Sequence, residues 1–293
     1  MEFHDTRLSL IFQDLRSTEA YVAAQDAADA QRPQARERQR GGGRQATLAT
    51  LADKLVFILF YFRMYPTQVA QGFFFGISGI SQGQACTWIH CLTPVLNQAL
   101  GVEQQLPARQ PAAVTQVLAA CPDLAFIIDG TERPIQRPKD ADRQRQYYSG
   151  KKKRHTVKNI IVTDKGTRKI KALSPTCEGK KHDKAAMAET DFLFPPGSRV
   201  WQDTGFQGYA PPGTTTYQPK KKPRGGELTP AEKATNQALA SERIGVEHSI
   251  GGTKVFRIVH DVYRNHRPAY ADLVMATACG LANLRLDFRL QVA

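Results

Sequence analysis

The run from Leu124 to Asp129 is apolar until its last residue, which is an acid followed by Gly130. An unbroken apolar run of this length suits a strand buried on both faces, because a half-exposed strand would alternate. Such a strand needs helices above and below it, which directs the chain toward an α+β or α/β fold. Two further segments fit the same sheet. His155 to Asp164 carries Val157, Ile160, Ile161 and Val162, turns at Lys165 and Gly166, and returns from Arg168 to Leu173. Arg199 to Asp203 reads as a fourth strand, stopped by Thr204 and Gly205. A fifth strand is not placed, since Phe256 to Val259 is too short a stretch to carry one.

Helices are predicted around this sheet: one near Val114 to Leu118, a short one over Asp183 to Phe192, and a last one opened by Pro268. Gly208 to Thr235 reads as a long basic loop containing Lys220, Lys221, Lys222 and Arg224. The helix after it, centred on Ala240 to Lys254, carries two stripes. At about 100° per residue, Leu239, Val246 and Ile250 fall together, which suits burial. Arg243, Glu247 and Lys254 fall on a second stripe, roughly 60° round from the first.

The first hundred residues read differently. Residues 1–45 hold a short mixed segment and a flexible linker that ends in Arg40, three glycines and Arg44. Thr50 and Asp53 make a capping-box start, and Leu51, Leu55, Ile58 and Phe62 follow at helical spacing. Pro66 and Thr67 open a second helix. Gly76 to Ser78 then makes a turn, with Ser78 as the next N-cap. A third helix buries Ala85, Ile89, Leu92 and Leu96 and shows Gly83, Gln84, Thr87 and His90 on its other face. Three helices with a short turn before the last suggest a helix-turn-helix unit over residues 46–105, although an ordinary helical bundle has the same pattern. The second domain is expected over residues 118–293, with its basic insert at 209–235.

Charge points to the partner. Lys and Arg number 40 against 27 Asp and Glu, a net charge of +13 over 293 residues. That balance suits a polyanion, nucleic acid or an anionic membrane. No apolar run approaches the ~20 residues of a membrane span, and no secretory signal core opens the chain, so a cytoplasmic, nucleoid-associated protein is expected. The five cysteines are odd in number and scattered, which argues against a disulfide framework. Cys86, His90 and Cys91 lack a second ligand pair at zinc-finger spacing.

Asp129 and Asp203 close two predicted strands beside glycines, and Glu247 stands on the helix that follows. Three carboxylates on neighbouring elements suit two hard divalent cations, Mg²⁺ or Mn²⁺, and two such cations suit displacement at a phosphodiester. Other acids are set aside. Asp123 and Glu132 read as surface charges, Asp164 as turn chemistry, and Glu242 points about 140° away from Glu247. His182 and Asp183 read either as support behind the acids or as a helix cap at Asp183. Lys151 to Arg154 is a solvated strand entry by default, and beside a carboxylate cluster it suits a DNA backbone.

The motifs together resemble a family. Asp129 to Ile135, Lys152 to Lys158, Glu178 to Asp183 and Asp203 to Gly208 are similar to DDE transposases of the insertion-sequence-five family, relatives of Harbinger-type transposases. So are Arg243, Glu247 and Lys254 at their spacing, the insert Lys220 to Thr229, and the segments Tyr65 to Thr67 and Phe75 to Ser78. The resemblance spans roughly residues 48 to 290, with one departure, Ala240 where the family often has Tyr. It implies an RNase H-like catalytic domain, a mixed five-stranded sheet flanked by helices, behind a small all-α helix-turn-helix domain. It also implies catalytic and metal-binding roles for Asp129, Asp203 and Glu247. The partners would be terminal inverted repeats and target DNA, bound as a homodimer or higher oligomer. DNA contacts are expected from Gln84, Thr87, Lys152, Lys153, Arg154, Lys221, Lys222, Arg224, Arg243 and Lys254. Two other readings stand beside it, a silent sequence-specific DNA-binding regulator and a nuclease of the same fold.

Overall fold

The computed structural model describes residues 48–76, 82–267 and 269–292, with side chains followed to residue 288. The linker, the Ser78 turn and Pro268 lie outside the described residues. The chain divides into two compact units. One ends at Gln105 and includes Phe256–Ile258; the other is Leu106–Val255 with Val259 onward.

The first unit is helical: α1 (Leu51–Met64), α2 (Gln68–Phe74) and α3 (Gln82–Val102). Thr50 and Asp53 form the expected capping box, each side chain taking the other's backbone N–H at 3.0 Å. Thr67 caps α2. Tyr65 ends α1 in the left-handed region, φ 46°, and Gln71 then donates to the Phe57 carbonyl at 2.8 Å, tying α2 to α1. Phe57, Ile58 and Phe62 of α1 bury, as do Ala85, Ile89, Leu92 and Leu96 of α3.

The second unit contains α4 (Pro111–Ala119), β1 (Ala125–Pro134), α5 (Ala141–Tyr147), β2 (Tyr148–Ser149), β3 (Arg154–Asp164), β4 (Ile170–Leu173) and β5 (Cys177–Glu178). It continues with α6 (Asp183–Ala188), β6 (Arg199–Trp201), a 3-10 turn (Thr204–Phe206), β7 (Thr215–Tyr217) and α7 (Pro230–Lys254). A short helix α8 (Arg257–His260), whose first two residues belong to the first unit, follows in the chain, and α9 (Tyr270–Val292) ends the described chain. The sheet runs β2-β3-β1-β6-β7, with β4 and β5 also paired to β3. β1 is antiparallel to β3 and parallel to β6, and β6 is parallel to β7.

Period two sorts β1 onto two cores. Phe126 and Ile128 join Ile160, Val162, Val200 and Phe206 in one, with Val114 and Leu118 of α4 and Met187 of α6. Ala125 and Ile127 join Trp201 and Val246 of α7 in the other. β1 is therefore covered on both faces, as its apolar run requires.

Three expectations change. Among the described residues the sheet has seven strands, not five: the two-residue β2 and β5 were not read, and β7 lies inside the segment read as loop, where Thr215–Tyr217 is polar and partly exposed and has no apolar run to betray it. The helix after it starts at Pro230, ten residues before Ala240, with Thr229 and Glu232 as a second capping box. The strand read as closing at Asp129 runs on to Pro134; residues 257–260, too short a stretch to carry a strand, are helical.

The last helix is stitched to the sheet by buried polar groups. Asn283 accepts from the Ile170 N–H at 2.8 Å and donates to the Ile170 carbonyl at 2.9 Å, so a side chain pairs with β4 as a strand would. Arg133, fully buried on β1, donates to Ala271 of α9, to Asn159 and to Thr176. Asn283→Ala should leave both Ile170 groups unpaired, at about 1–3 kcal/mol each. A lowered urea midpoint with an unchanged slope is the expected outcome.

Candidate active site

The parallel strands bring two acids to one place. Ile127, Trp201 and Tyr217 are in register across β1, β6 and β7, and Trp201 stacks on Tyr217 with ring centroids 4.6 Å apart. Two residues beyond this row come Asp129 on β1 and Asp203 after β6. By alternation Asp129 shares the face of Ile127, the face that α7 covers. The carboxyl ends of parallel strands are the usual place for a ligand in such sheets.

Each acid is held locally. Asp129 accepts from the Gly130 N–H at 2.7 Å. Asp203 caps the 3-10 turn by accepting from the Gly205 N–H at 2.7 Å, and Gln218 donates to its carbonyl. Arg243 of α7 reaches down with its guanidinium 3.6 Å from Asp129, and its Nε is buried with no hydrogen-bond partner. Burial pushes the Asp129 carboxyl up to about 6; Arg243 pulls the other way, while Asp203 and Asp183 add to the rise.

Lys254, the last residue of α7, is half-buried. Burial and the neighbouring Lys152 hold its amine below the usual range, against the opposite pull of Asp129 and Glu132. The basic turn Lys151 to Arg154 carries four exposed side chains. Lys221, Lys222 and Arg224 are exposed as well, Lys222 lying 3.7 Å from Glu227.

Glu247 is exposed on α7, one turn after Arg243. It lies at a groove with Arg168, His248, Asn283 and Arg285. The ion-pair partner of Arg243 is Asp129, not Glu247 as an i,i+4 pairing would have it. Among the described residues, no three His, Cys, Asp or Glu side chains converge closely enough to hold a metal ion. Glu242 turns away to pair with Lys165, and Asp164 accepts from Thr167 in its turn.

Two acids differ from their expected setting. Glu132 is not a surface charge: its side chain is 9% exposed, accepts from Thr156 at 2.7 Å and faces Lys158 across the β1–β3 ladder. The cap of α6 is His182, which is exposed and makes no capping hydrogen bond, so Asp183 is not the cap. Asp183 instead meets Lys158 at 2.7 Å. Sequence reasoning quoted Lys158 at the end of a matching segment but gave it no role, since its partner comes from another element. Gln84 and Thr87 are exposed near the start of α3, where Thr87 donates to the Gly83 carbonyl. Nearby, His90 Nδ1 lies 2.8 Å from the Cys86 carbonyl of its own helix.

Two half-buried carboxylates thus meet on one face of the sheet, with Arg243 beside Asp129. Residues 128–283 match the family described as DDE superfamily endonuclease, more than half of the chain, and the chain belongs to that family. It is 28% identical over 218 residues to the probable transposase for insertion sequence element IS702 of Microchaete diplosiphon, covering 74% of this chain and 75% of the relative. A solved structure, the piggyBac transposase in a cryo-EM synaptic complex with hairpin DNA, aligns over 94% of this chain and 73% of its own at 12% identity and TM-score 0.48.

The raised Asp129 group has a consequence for stability. Its folded pKa of about 6 lies above the ordinary 3.8, so between these values the native state holds more protons than the unfolded one. Stability from this group is full below the lower value and is lost as pH rises through the upper. Asp129→Asn should therefore raise the melting temperature of the metal-free chain at neutral pH and flatten its decline across that window. Thermal melts in chelator at a series of pH values check it.

Proposed function

We propose that the chain is a DNA transposase: it binds the terminal inverted repeats of an element, hydrolyses a phosphodiester at each end and joins the freed 3′-OH to target DNA. The observation that carries the reading is the placement of Asp129 and Asp203, two residues past one row of the parallel sheet and under α7. The family match supports phosphodiester cleavage, and the likeness to the IS702 relative supports transposition. The strand order, with one antiparallel hairpin side and three parallel strands, supports an RNase H-like reading of the second unit. The three helices of the first unit support a helix-turn-helix reading over residues 46–105, with the exposed Gln84 and Thr87 reading base edges.

The residues fit a divalent cation. Asp129 and Asp203 are hard oxygen donors, and burial leaves Asp129 short of positive charge, which a cation would supply. Glu247, on the same stripe of α7 as Arg243, is the third carboxylate of this proposal. Mg²⁺ or Mn²⁺ held there would stabilise charge on the attacking and leaving oxygens. The chain's own part is to hold the phosphate in line. Arg243, with its unused Nε, and Lys254, whose amine feels both Asp129 and Lys152, grip the backbone beside the cut. Lys152, Lys153, Arg154, Lys221, Lys222 and Arg224 follow the duplex further out as exposed charges.

Asp129→Ala, Asp203→Ala and Glu247→Gln should each abolish cleavage of end-DNA while leaving binding nearly intact. Normal cutting by Glu247→Gln would remove it from the site, and cleavage undiminished in chelator would remove the metal. A strand-transfer assay separates the proposal from a nuclease that cuts without joining. Lys254→Ala should slow cleavage and reduce the log–log salt slope of binding by about 0.9, with melting temperature little changed.

A further inference from the structure

Behind the two acids lies a charged pair that the proposed chemistry does not use. Lys158 rises from β3 with its side chain 8% exposed and places its amine 2.7 Å from Asp183 Oδ1. The same amine donates to the Lys181 carbonyl at 2.6 Å and lies 4.0 Å from Glu132. The Asp183 contact is an ion pair without an aligned hydrogen bond, so Oδ1 is buried and has no hydrogen-bond partner.

The Asp183 carboxylate sits in a notch made by two glycines. A methyl group built on Gly130 would stand 2.8 Å from Oδ1, and one built on Gly205 would stand 2.7 Å from Oδ2. Neither glycine has a positive φ, so neither is required by its backbone. What each lacks is a Cβ where Asp183 lies. Gly130 follows Asp129 directly, and Gly205 donates the hydrogen bond that holds Asp203. One carboxylate therefore touches the backbone beside both acids at once. It comes from the α6 side of the sheet, opposite α7, since Gly130 is one residue out of phase with Asp129.

We propose that Lys158 and Asp183 form a positioning pair: Asp183, seated between Gly130 and Gly205, fixes the separation of Asp129 and Asp203, and Lys158 cancels its charge so that those two acids alone set the affinity for a divalent cation. The inference rests on the metal reading of the proposed function. An unneutralised Asp183 would add a third negative charge behind the site. An unpaired Lys158 would add a buried cation there. The two losses act on a bound cation with opposite sign, which a purely structural role does not do.

Mn²⁺ binding to the full-length chain, followed by the EPR signal of the free ion, tests this without cleavage. Asp183→Asn, nearly isosteric, should weaken Mn²⁺ about tenfold, the usual scale for a group behind a metal ligand. Lys158→Met, close in length, should tighten it. The double variant, which removes both charges, should return to within about threefold of the wild type because the two opposite changes cancel. Both single variants weakening Mn²⁺ alike without recovery in the double, or neither changing it, overturns the pair. Gly130→Ala serves where Lys158→Met does not fold. It should weaken Mn²⁺ in the wild-type background and not in Asp183→Ala; equal weakening in both overturns the seat. Wild-type chain that binds no Mn²⁺ overturns the metal reading together with the pair. Wild-type binding that is insensitive to Asp183 and Lys158 overturns the pair alone.

Discussion

The pairing of β1 with both of its neighbours is the constraint on which the site depends. Nine residue pairs run antiparallel to β3, from Phe126 with Asp164 to Pro134 with Thr156, and three run parallel to β6. A slip of one residue in either ladder would send Asp129 to the opposite face. The apolar residues prevent it, because Phe126 and Ile128 fill one core while Ala125 and Ile127 fill the other. A shift would put Asp129 into the core of Val162 and Phe206, where a lone carboxylate costs several kcal/mol. Hydrophobic burial thus decides the orientation of a charged residue that contributes nothing to it.

The chain's strong positive charge and its acidic centre belong together. Burial raises the Asp129 group, and the neighbouring Asp203 and Asp183 carboxylates add to the rise. Arg243 draws Asp129 back toward its usual range, and Lys158 pairs with Asp183. The charges further out, at Lys151 to Arg154 and Lys221 to Arg224, are exposed and leave the core undisturbed. Inner cations answer to the acids, and outer ones answer to solvent and to whatever polyanion approaches.

What could be read in the sequence follows from where burial leaves a mark. β1 and β3 were legible because apolar runs of that length have few alternatives, and the caps at Thr50 and Thr67 because their chemistry is local. β7 was not, since three polar residues at a sheet edge look like loop. The first half of α7 was hidden for the same reason: Pro230 to Ala238 is mostly exposed and has no apolar stripe. At the site, Asp203 was legible as an acid just after a strand, whereas Asp129, read as a strand end, lies inside β1, whose pairing with β3 continues to Pro134. The partner of Arg243 was not, because helical spacing favours Glu247 while packing delivers Asp129. The burial of Glu132 and the pairing of Lys158 with Asp183 were also out of reach, since both depend on which strand lies opposite which.

The polar stitching of α9 bears on where this unit can be shortened. No proposed metal ligand lies beyond Glu247, so a chain cut after α7 would keep the whole set of acids. It would lose Asn283 from β4, Asp272 from Thr176 and Arg109, and the Ala271 carbonyl from Arg133, which is fully buried on the strand that carries Asp129. Those groups would be left as unpaired polar atoms in a sheet otherwise built to exclude them. The family match ends at residue 283, at the asparagine that completes the edge of β4. The smallest working piece of this protein is therefore set by a hydrogen-bond donor and acceptor near its end, well past the last carboxylate.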